Sequence, residues 1–416
     1  MKSLFVYADF DWLNRPTLVG ELGYESLRGT DSYSFKFDNE WLRKYGSLFL
    51  SADINNYPGP QYTQPERDIF GCFSDALPDR WGRLLLNRRE QILATEEKRP
   101  IRRLSSFDYL MGIDDFSRMG GFRFKTSPEG DYINSEASLR IPPLTDIKAL
   151  AAASLEIEKS EELNQLPEKR WLQQLVHPGS SLGGARPKAG VLDEYGRLNM
   201  AKFPSRNDDY DVALWEHHSH LLAKKAGVVV AETRVLPTDG LYHILLSKRF
   251  DRIDNGQRRH FASAMTLLGL NDGCDAKTGS GYLDIVDFML QGCCDVEKNL
   301  RQLYRRVAFN IAIGNSDDHF RNHGFLLTPR GWTLSPAYDL NPTLNEYQSL
   351  LINSATNHAD LNVLLDSSEE YMISKEEART IIQEVVESVK TWKALATRLG
   401  IAKREMDMFE QVYERF

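Results

Sequence analysis

The sequence predicts the α+β class, with a mixed β/α amino-terminal lobe followed by an all-helical carboxy-terminal lobe. Three observations carry this expectation. Apolar residues alternate in short runs over 4–50, and strand-like runs return between 175 and 252. From 261 onward they recur at helical spacing, interrupted by one polar loop. A chain of 416 residues is also too long for one small core, so two or three structural units are expected. The composition changes place them at 1–144, 145–255 and 256–416.

In the first unit, LFVYADF, SYSFKF and SLFL read as strands punctuated by Gly20, Gly23, Gly29 and Gly46, which makes a small antiparallel sheet. Between Arg67 and Glu97 the spacing turns helical and is broken by Pro78. FDYLMGI continues the helical material, and GGFRFKT returns to strand. Pro142 and Pro143 precede a helix over 145–156. VLDEYG and RLNMAKF fit a hairpin, DVALWEHHSHLLAKKAG an amphipathic helix, and VVVAETRVL and YHILLSKRF two strands. One or two closing helices end the chain.

Bulk composition narrows the function classes. Hydrophobic residues make up 42% and charged residues 26%, ordinary for a globular chain, and no apolar run reaches membrane-spanning length. MKSLFVYADF lacks the apolar stretch of a signal peptide, so a cytoplasmic protein with no membrane association is expected. Cys72, Cys274, Cys293 and Cys294 form no CxxC pair and read as thiols rather than a zinc clamp. A net charge of −8 argues against a surface devoted to nucleic acid. The basic run KRPIRR at 98–103 reads as a solvated turn.

The densest chemistry is NSDDHFRNHG at 315–324, followed by YDLNP at 338–342. Phosphoryl transfer needs a carboxylate to orient or deprotonate the acceptor hydroxyl. It also needs an amide oxygen and a second carboxylate to hold magnesium against the phosphates. Asp317 and Asn322 have the D-x-x-x-x-N offset of a protein kinase catalytic loop, and Asp339 stands where a metal-binding aspartate would follow. Any one of these residues alone is equally a turn residue, since Asp, Asn and Gly bond their own backbone.

Other segments supply the missing parts. SSLGGARPKAGVL at 180–192 offers Ser180, Ser181, Gly183, Gly184 and Lys188, a turn whose N–H groups can cradle phosphate, though it is not a Walker loop. Lys202 emerges from a strand in LNMAKFPS and can neutralise α- and β-phosphates. Glu216 is either the helix glutamate that pairs with such a lysine or part of a solvated helix face. His217, His218 and His220 point in different directions on one helix, so a shared metal is not expected. His319 reads as loop support.

These segments, in order, are SSLGGARPK, NMAKFP, the Glu216 helix, LLSKRFDR, RRHFASA, NIAIGNSDDHFRNHGF and LSPAYDLNP. The set resembles the HipA family of bacterial serine/threonine kinases, the toxin components of type II toxin–antitoxin modules. The resemblance covers nearly the whole chain, 4–125 as the amino-terminal subdomain and 145–400 as the kinase core. It implies a two-lobed protein-kinase-like fold that transfers the γ-phosphate of ATP, with Mg2+, to a serine or threonine of a translation-related protein such as an aminoacyl-tRNA synthetase. By position it makes Asp317 the catalytic base and Asn322 and Asp339 the magnesium ligands. Ser181, Gly183, Gly184, Lys188, Lys202 and Phe250 become the ATP site, with Glu216 and His319 in support.

Ser181 matches the residue that the family autophosphorylates, with Ser180 as a second acceptor. A dianionic group there would repel or replace ATP. The resemblance also implies a helix-turn-helix antitoxin partner that makes most of any DNA contact. Two positions depart from the family pattern: Lys248 stands where some members carry Glu, and Arg186 where many carry Gln. Two alternatives are a kinase-fold protein that binds ATP and a partner without transfer, and a small-molecule kinase.

Overall fold

The computed structural model describes residues 2–27, 29–65, 67–135, 141–176, 184–253 and 256–416. The chain divides into two compact units, one of residues 1–207 with 248–262 and the other of 208–247 with 263–416. The units are interleaved along the sequence rather than consecutive.

The first unit begins with β1 (Lys2–Ala8), β2 (Thr17–Leu27), β3 (Thr30–Phe37), α1 (Asn39–Tyr45) and β4 (Pro60–Tyr62). Three helices follow, α2 (Gly71–Ser74), α3 (Arg80–Glu96) and α4 (Ser106–Gly112), then β5 (Phe122–Lys125). The five strands make an antiparallel sheet in the order β4-β3-β2-β1-β5. Alternation puts Leu4, Val6, Ala8, Leu22, Phe35, Phe37 and Phe122 on its buried face, against Phe70 and Phe73.

Two expectations fail here. SLFL at 47–50 is not a strand. Gly20 and Gly23 do not punctuate the chain but lie inside β2; Gly23 pairs regularly with Ser3, and at Gly20 the β1–β2 register shifts between Val6 and Tyr7. A Cβ on Gly20 would sit 2.3 Å from the Lys36 carbonyl, so the bulge requires glycine.

The unit continues with α5 (Ile147–Glu162), α6 (Lys169–Val176) and the hairpin β6 (Lys188–Leu192) with β7 (Leu198–Lys202). Segment 248–262 is bound to 114–123 by buried charges. Asp251 accepts from Arg249 at 2.6 Å and from Arg252 at 2.7 Å within the segment, and from the Gly120 N–H at 2.8 Å across it. Arg249 donates in turn to the Ser117 carbonyl at 3.0 Å and Arg252 to the Gly120 carbonyl at 3.1 Å. Arg258 reaches Asp115 at 2.9 Å.

Burial works against the Asp251 carboxylate, but Arg249 and Arg252 hold its pKa down to about 2. Asp251→Asn leaves two buried guanidinium groups without their counter-ion. It should cost on the order of 3–5 kcal/mol, read as a lowered denaturant midpoint. The depressed pKa means that this stabilisation is present above the unfolded value of about 4 and fades as pH falls below it. An acid titration of the wild-type melting temperature should show that loss, and the variant should lack it.

The second unit begins with α7 (Val212–Lys225), β8 (Thr233–Leu236) and β9 (Ile244–Lys248), at whose end the chain passes to the first unit. It returns through β10 (Phe261–Ser263) to α8 (Ala264–Leu267), α9 (Tyr282–Gly292) and α10 (Val296–Ala312). Then come β11 (Gly324–Thr328), β12 (Gly331–Leu334), α11 (Leu361–Asp366), α12 (Lys375–Val389), α13 (Trp392–Leu399) and α14 (Lys403–Tyr413).

Helices dominate as expected, with two corrections. GFLLTPRGWTL forms the β11–β12 hairpin inside the stretch read as all-helical. Pro329 and Gly331, with φ of +124°, stop a helix there, and the Thr328 hydroxyl closes the turn on the Gly331 carbonyl at 2.8 Å. The end of the chain carries three helices rather than one or two, separated at Thr391 and at Gly400, whose φ is +78°.

Trp215 of α7 packs on Phe409 with ring centroids 4.6 Å apart and closes α14 onto the core. The histidines of α7 are core residues. His217 contacts the Thr233 hydroxyl, His218 the Trp392 carbonyl and His220 the Glu216 carbonyl, and burial pushes His217 and His218 down to about 4.

Candidate active site

The end of α10 builds the site. LYRRVAFNIA is apolar enough to bury Leu303, Val307, Phe309, Ile311 and Ala312, which gives the following loop a rigid base. Gly314 turns the chain with φ of +66°, and a Cβ there would meet Val412 Cγ1 at 2.5 Å and the Thr343 carbonyl at 2.9 Å. The Asn315 N–H then bonds the Asn310 carbonyl at 2.8 Å, and its side chain bonds Asn310 Oδ1 at 3.1 Å.

Two interleaved pairs with the same five-residue offset shape the loop. The inner pair is Asp318 and His323, both buried, with His323 Nε2 2.8 Å from Asp318 Oδ2. The same oxygen accepts from the Tyr282 hydroxyl and from Asn310 Nδ2, each at 2.7 Å. Burial opposes the charge on Asp318, yet His323 and Tyr282 keep its carboxyl below the usual range.

The outer pair is Asp317 and Asn322. Asp317 is exposed, and Asn322 Nδ2 donates to the Asp317 backbone carbonyl at 3.1 Å. The inner pair thus fixes both ends of a loop that presents Asp317 and Asn322. Sequence reading found the outer pair and missed the inner one, although the repeated offset was available as a signal.

The segment carrying Asp339 is held against the same loop. Ala337 exchanges backbone bonds with Val229 and Ala231, at 2.8 and 2.9 Å. Arg306 of α10 donates to the Ser335 carbonyl, and the Tyr338 hydroxyl bonds the Arg321 carbonyl at 2.5 Å. The Thr343 hydroxyl ties Ser316 at 2.6 Å to the Gly314 carbonyl at 2.7 Å. Asp339 itself adopts φ of +60°, a left-handed conformation costly for most non-glycine residues and tolerated by Asp.

The electrostatics of this cluster suit a cation. Partial burial raises the Asp317 pKa; the charge of His319 lowers it, and the carboxylates of Asp339 and Asp318 raise it further. Asn341 Nδ2 bonds Asp339 Oδ1 at 3.1 Å, while its own Oδ1 is buried with no hydrogen-bond partner. Among the described residues no three His, Cys, Asp or Glu side chains converge as a self-sufficient cage. The available donors are carboxylate and amide oxygens, a set suited to a hard divalent ion whose shell is completed by water and phosphate. His319 Nδ1 is buried without a hydrogen-bond partner among the described residues.

In the first unit the structure brings together Gly184, Lys188 and Lys202. Lys188 and Lys202 are direct partners in the β6–β7 register, so both side chains leave the same face. Lys202 is half-buried. Lys188 is buried and ion-paired with Asp79 at 2.9 Å, a partner more than a hundred positions upstream that sequence reading did not find. Phe250 is half-buried and packs on Phe261 with ring centroids 5.9 Å apart.

Ser180, Ser181 and Gly183 lie outside the described residues. Glu216 belongs to the second unit and is buried, so the solvated-face reading is excluded. The predicted set therefore divides, with the lysines, Gly184 and Phe250 in one unit and Asp317, Asn322, Asp339, His319 and Glu216 in the other. No helix among the described residues is long and apolar enough to cross a membrane.

Comparison with known proteins bears on the family and the fold. The family model described as the HipA-like C-terminal domain matches residues 180–393. The serine/threonine-protein kinase toxin HipA of Shewanella oneidensis is 27% identical over 224 residues, 48% of this chain and 50% of that protein. A putative kinase of Haemophilus influenzae is 25% identical over 225 residues, 48% of this chain and 66% of that protein. The chain thus spans about half of the first relative and just under two thirds of the second.

Among solved structures, the Shewanella oneidensis MR-1 complex of HipA, HipB and operator DNA contains a chain that matches with a TM-score of 0.70. That match covers 99% of this chain and 96% of that one at 17% identity, a likeness of fold.

Proposed function

The chain belongs to the HipA-like C-terminal domain family, and from that premise we propose that it is an ATP-dependent serine/threonine-protein kinase of the HipA toxin type. The observation that carries the reading is the outer pair of the loop. Asp317 stands exposed while the Asn322 amide is held against the Asp317 backbone, five residues apart on a loop braced from within.

In this reading Asp317 accepts the proton of an acceptor serine or threonine hydroxyl. The hydroxyl oxygen bonds to the γ-phosphorus, and the bond from that phosphorus to the β,γ-bridging oxygen breaks, releasing ADP. Asp339 and Asn322 would hold Mg2+, with Asn341 Oδ1 as a further oxygen at hand. Bound there, the ion would neutralise charge developing on the phosphates. Lys202 would contact phosphate, and Phe250 would lie by the adenine-facing segment.

Further parts of the reading come from the resemblance of the sequence motifs to the family. The autophosphorylated residue is Ser181, with Ser180 as the second acceptor. The target is a translation-related protein, an aminoacyl-tRNA synthetase in the first instance. The solved HipA chain that shares this fold stands in a complex with HipB and operator DNA, which supports a helix-turn-helix antitoxin partner that carries most of the DNA contact. A net charge of −8 agrees with that division of labour.

Incubation of the purified protein with Mg2+ and γ-labelled ATP, followed by mass mapping, tests the proposal. Phosphate should appear on Ser181 or Ser180 and be absent from an Asp317→Asn variant. ATP binding without any transfer to itself or to added protein would favour the non-transferring alternative. Absence of ATP binding in unphosphorylated protein would overturn the kinase reading.

A further inference from the structure

Lys188 was expected to meet ATP, yet its ammonium group is already engaged. Its side chain and that of Asp79 are each only 2% exposed, and Nζ lies 2.9 Å from Asp79 Oδ2. The same Nζ donates to the Gly184 carbonyl at 3.2 Å. Gly184 has φ of +101°, and a Cβ on it would stand 3.3 Å from Nζ, so the turn is wrapped around the ammonium.

Asp79 is itself fixed. It caps the amino terminus of the seventeen-residue helix α3, with Oδ1 accepting from the Gly82 N–H at 2.7 Å. Its two oxygens therefore join a helix end in the amino-terminal part of the chain to the glycine turn ahead of β6. The register places Lys202 opposite Lys188, and like charges directly opposite repel unless one is neutralised. Asp79 supplies that neutralisation.

We propose that Asp79 and Lys188 form a lock that positions the glycine turn, that Lys188 is a positioning residue rather than a phosphate ligand, and that the phosphate-contacting lysine is Lys202. This rests on the kinase reading for the identity of the ligand, but the lock itself does not. Asp79 lies outside the family-matched segment 180–393, so nucleotide binding would depend on the amino-terminal part of the chain.

The full chain is titrated with a fluorescent ATP analogue in Mg2+, and hydrogen exchange is followed in the peptide over 184–192. Asp79→Asn keeps the cap but removes the counter-charge. It should speed exchange in that peptide and weaken nucleotide binding about tenfold. The double variant Asp79→Asn with Lys188→Gln restores a neutral hydrogen-bonded pair. It should recover slow exchange and bring binding back to within about threefold of wild type, whereas Lys202→Met should weaken binding with exchange unchanged.

A double variant that binds as poorly as Lys202→Met while its turn is protected would make Lys188 a phosphate ligand and overturn the proposal. So would Asp79→Asn exchanging and binding like wild type. If wild type binds no nucleotide, the kinase reading fails while the exchange pattern still decides the lock. A merely structural role would lower the melting temperature without the rescue of binding.

Discussion

Replacing Asp317 with asparagine is expected to reduce phosphoryl transfer by a factor on the order of 10^2 to 10^4, the usual contribution of a positioned general base. The fold and nucleotide binding should survive. Asn322 is anchored on the backbone carbonyl of residue 317, not on its carboxylate, so that bond remains in the variant. The inner pair of Asp318 and His323 is likewise untouched.

Removing one negative charge also relieves the crowding that Asp339 and Asp318 impose on position 317, so binding of the anionic nucleotide should hold or tighten. Single-turnover transfer and equilibrium nucleotide binding, measured on the same preparation, separate the two effects. Transfer within tenfold of wild type would remove Asp317 from the base role.

The pattern of what was readable follows from the range of the interactions involved. Asp317, Asn322 and Asp339 stand close in sequence behind an apolar helix, so their spacing, taken with the other segments, was enough to single them out as candidates. The hairpin of 188–202 and the helix of 212–225 were also legible, because alternation and helical period are local signals. Gly20 misled the reading because its need for small size comes from a neighbouring strand, which spacing within β2 cannot reveal.

Asp79 is a stronger case. Before Trp81 it looks like an ordinary helix cap, and only the folded chain brings Lys188 to its other oxygen. Asn341 was printed in YDLNP yet drew no role, since an unpaired buried amide oxygen is a property of packing. The interleaving of the two units has no linear signature either, because segment 248–262 joins the first unit through buried polar bonds, from the Gly120 N–H to Asp251, from Arg249 and Arg252 to the carbonyls of Ser117 and Gly120, and from Arg258 to Asp115.

Position 339 yields the other large effect, and a pair of substitutions separates charge from backbone. Asp339 holds φ of +60°, which asparagine also tolerates and alanine resists, so Asp339→Asn isolates the loss of the carboxylate. Asp339→Ala adds backbone strain of roughly 1 kcal/mol and removes the acceptor of the Asn341 amide. If Asp339 is a metal ligand, both variants lose several kcal/mol of transition-state stabilisation, a fall in kcat of roughly 10^2 to 10^3.

Both should also lose the dependence of nucleotide affinity on Mg2+, and only the alanine variant should melt measurably lower. Titrating nucleotide binding against Mg2+ with each protein, alongside thermal melts, resolves the cases. An asparagine variant that keeps the wild-type Mg2+ dependence would move the metal away from Asp339. The buried Asn341 oxygen would then have to be explained by packing alone.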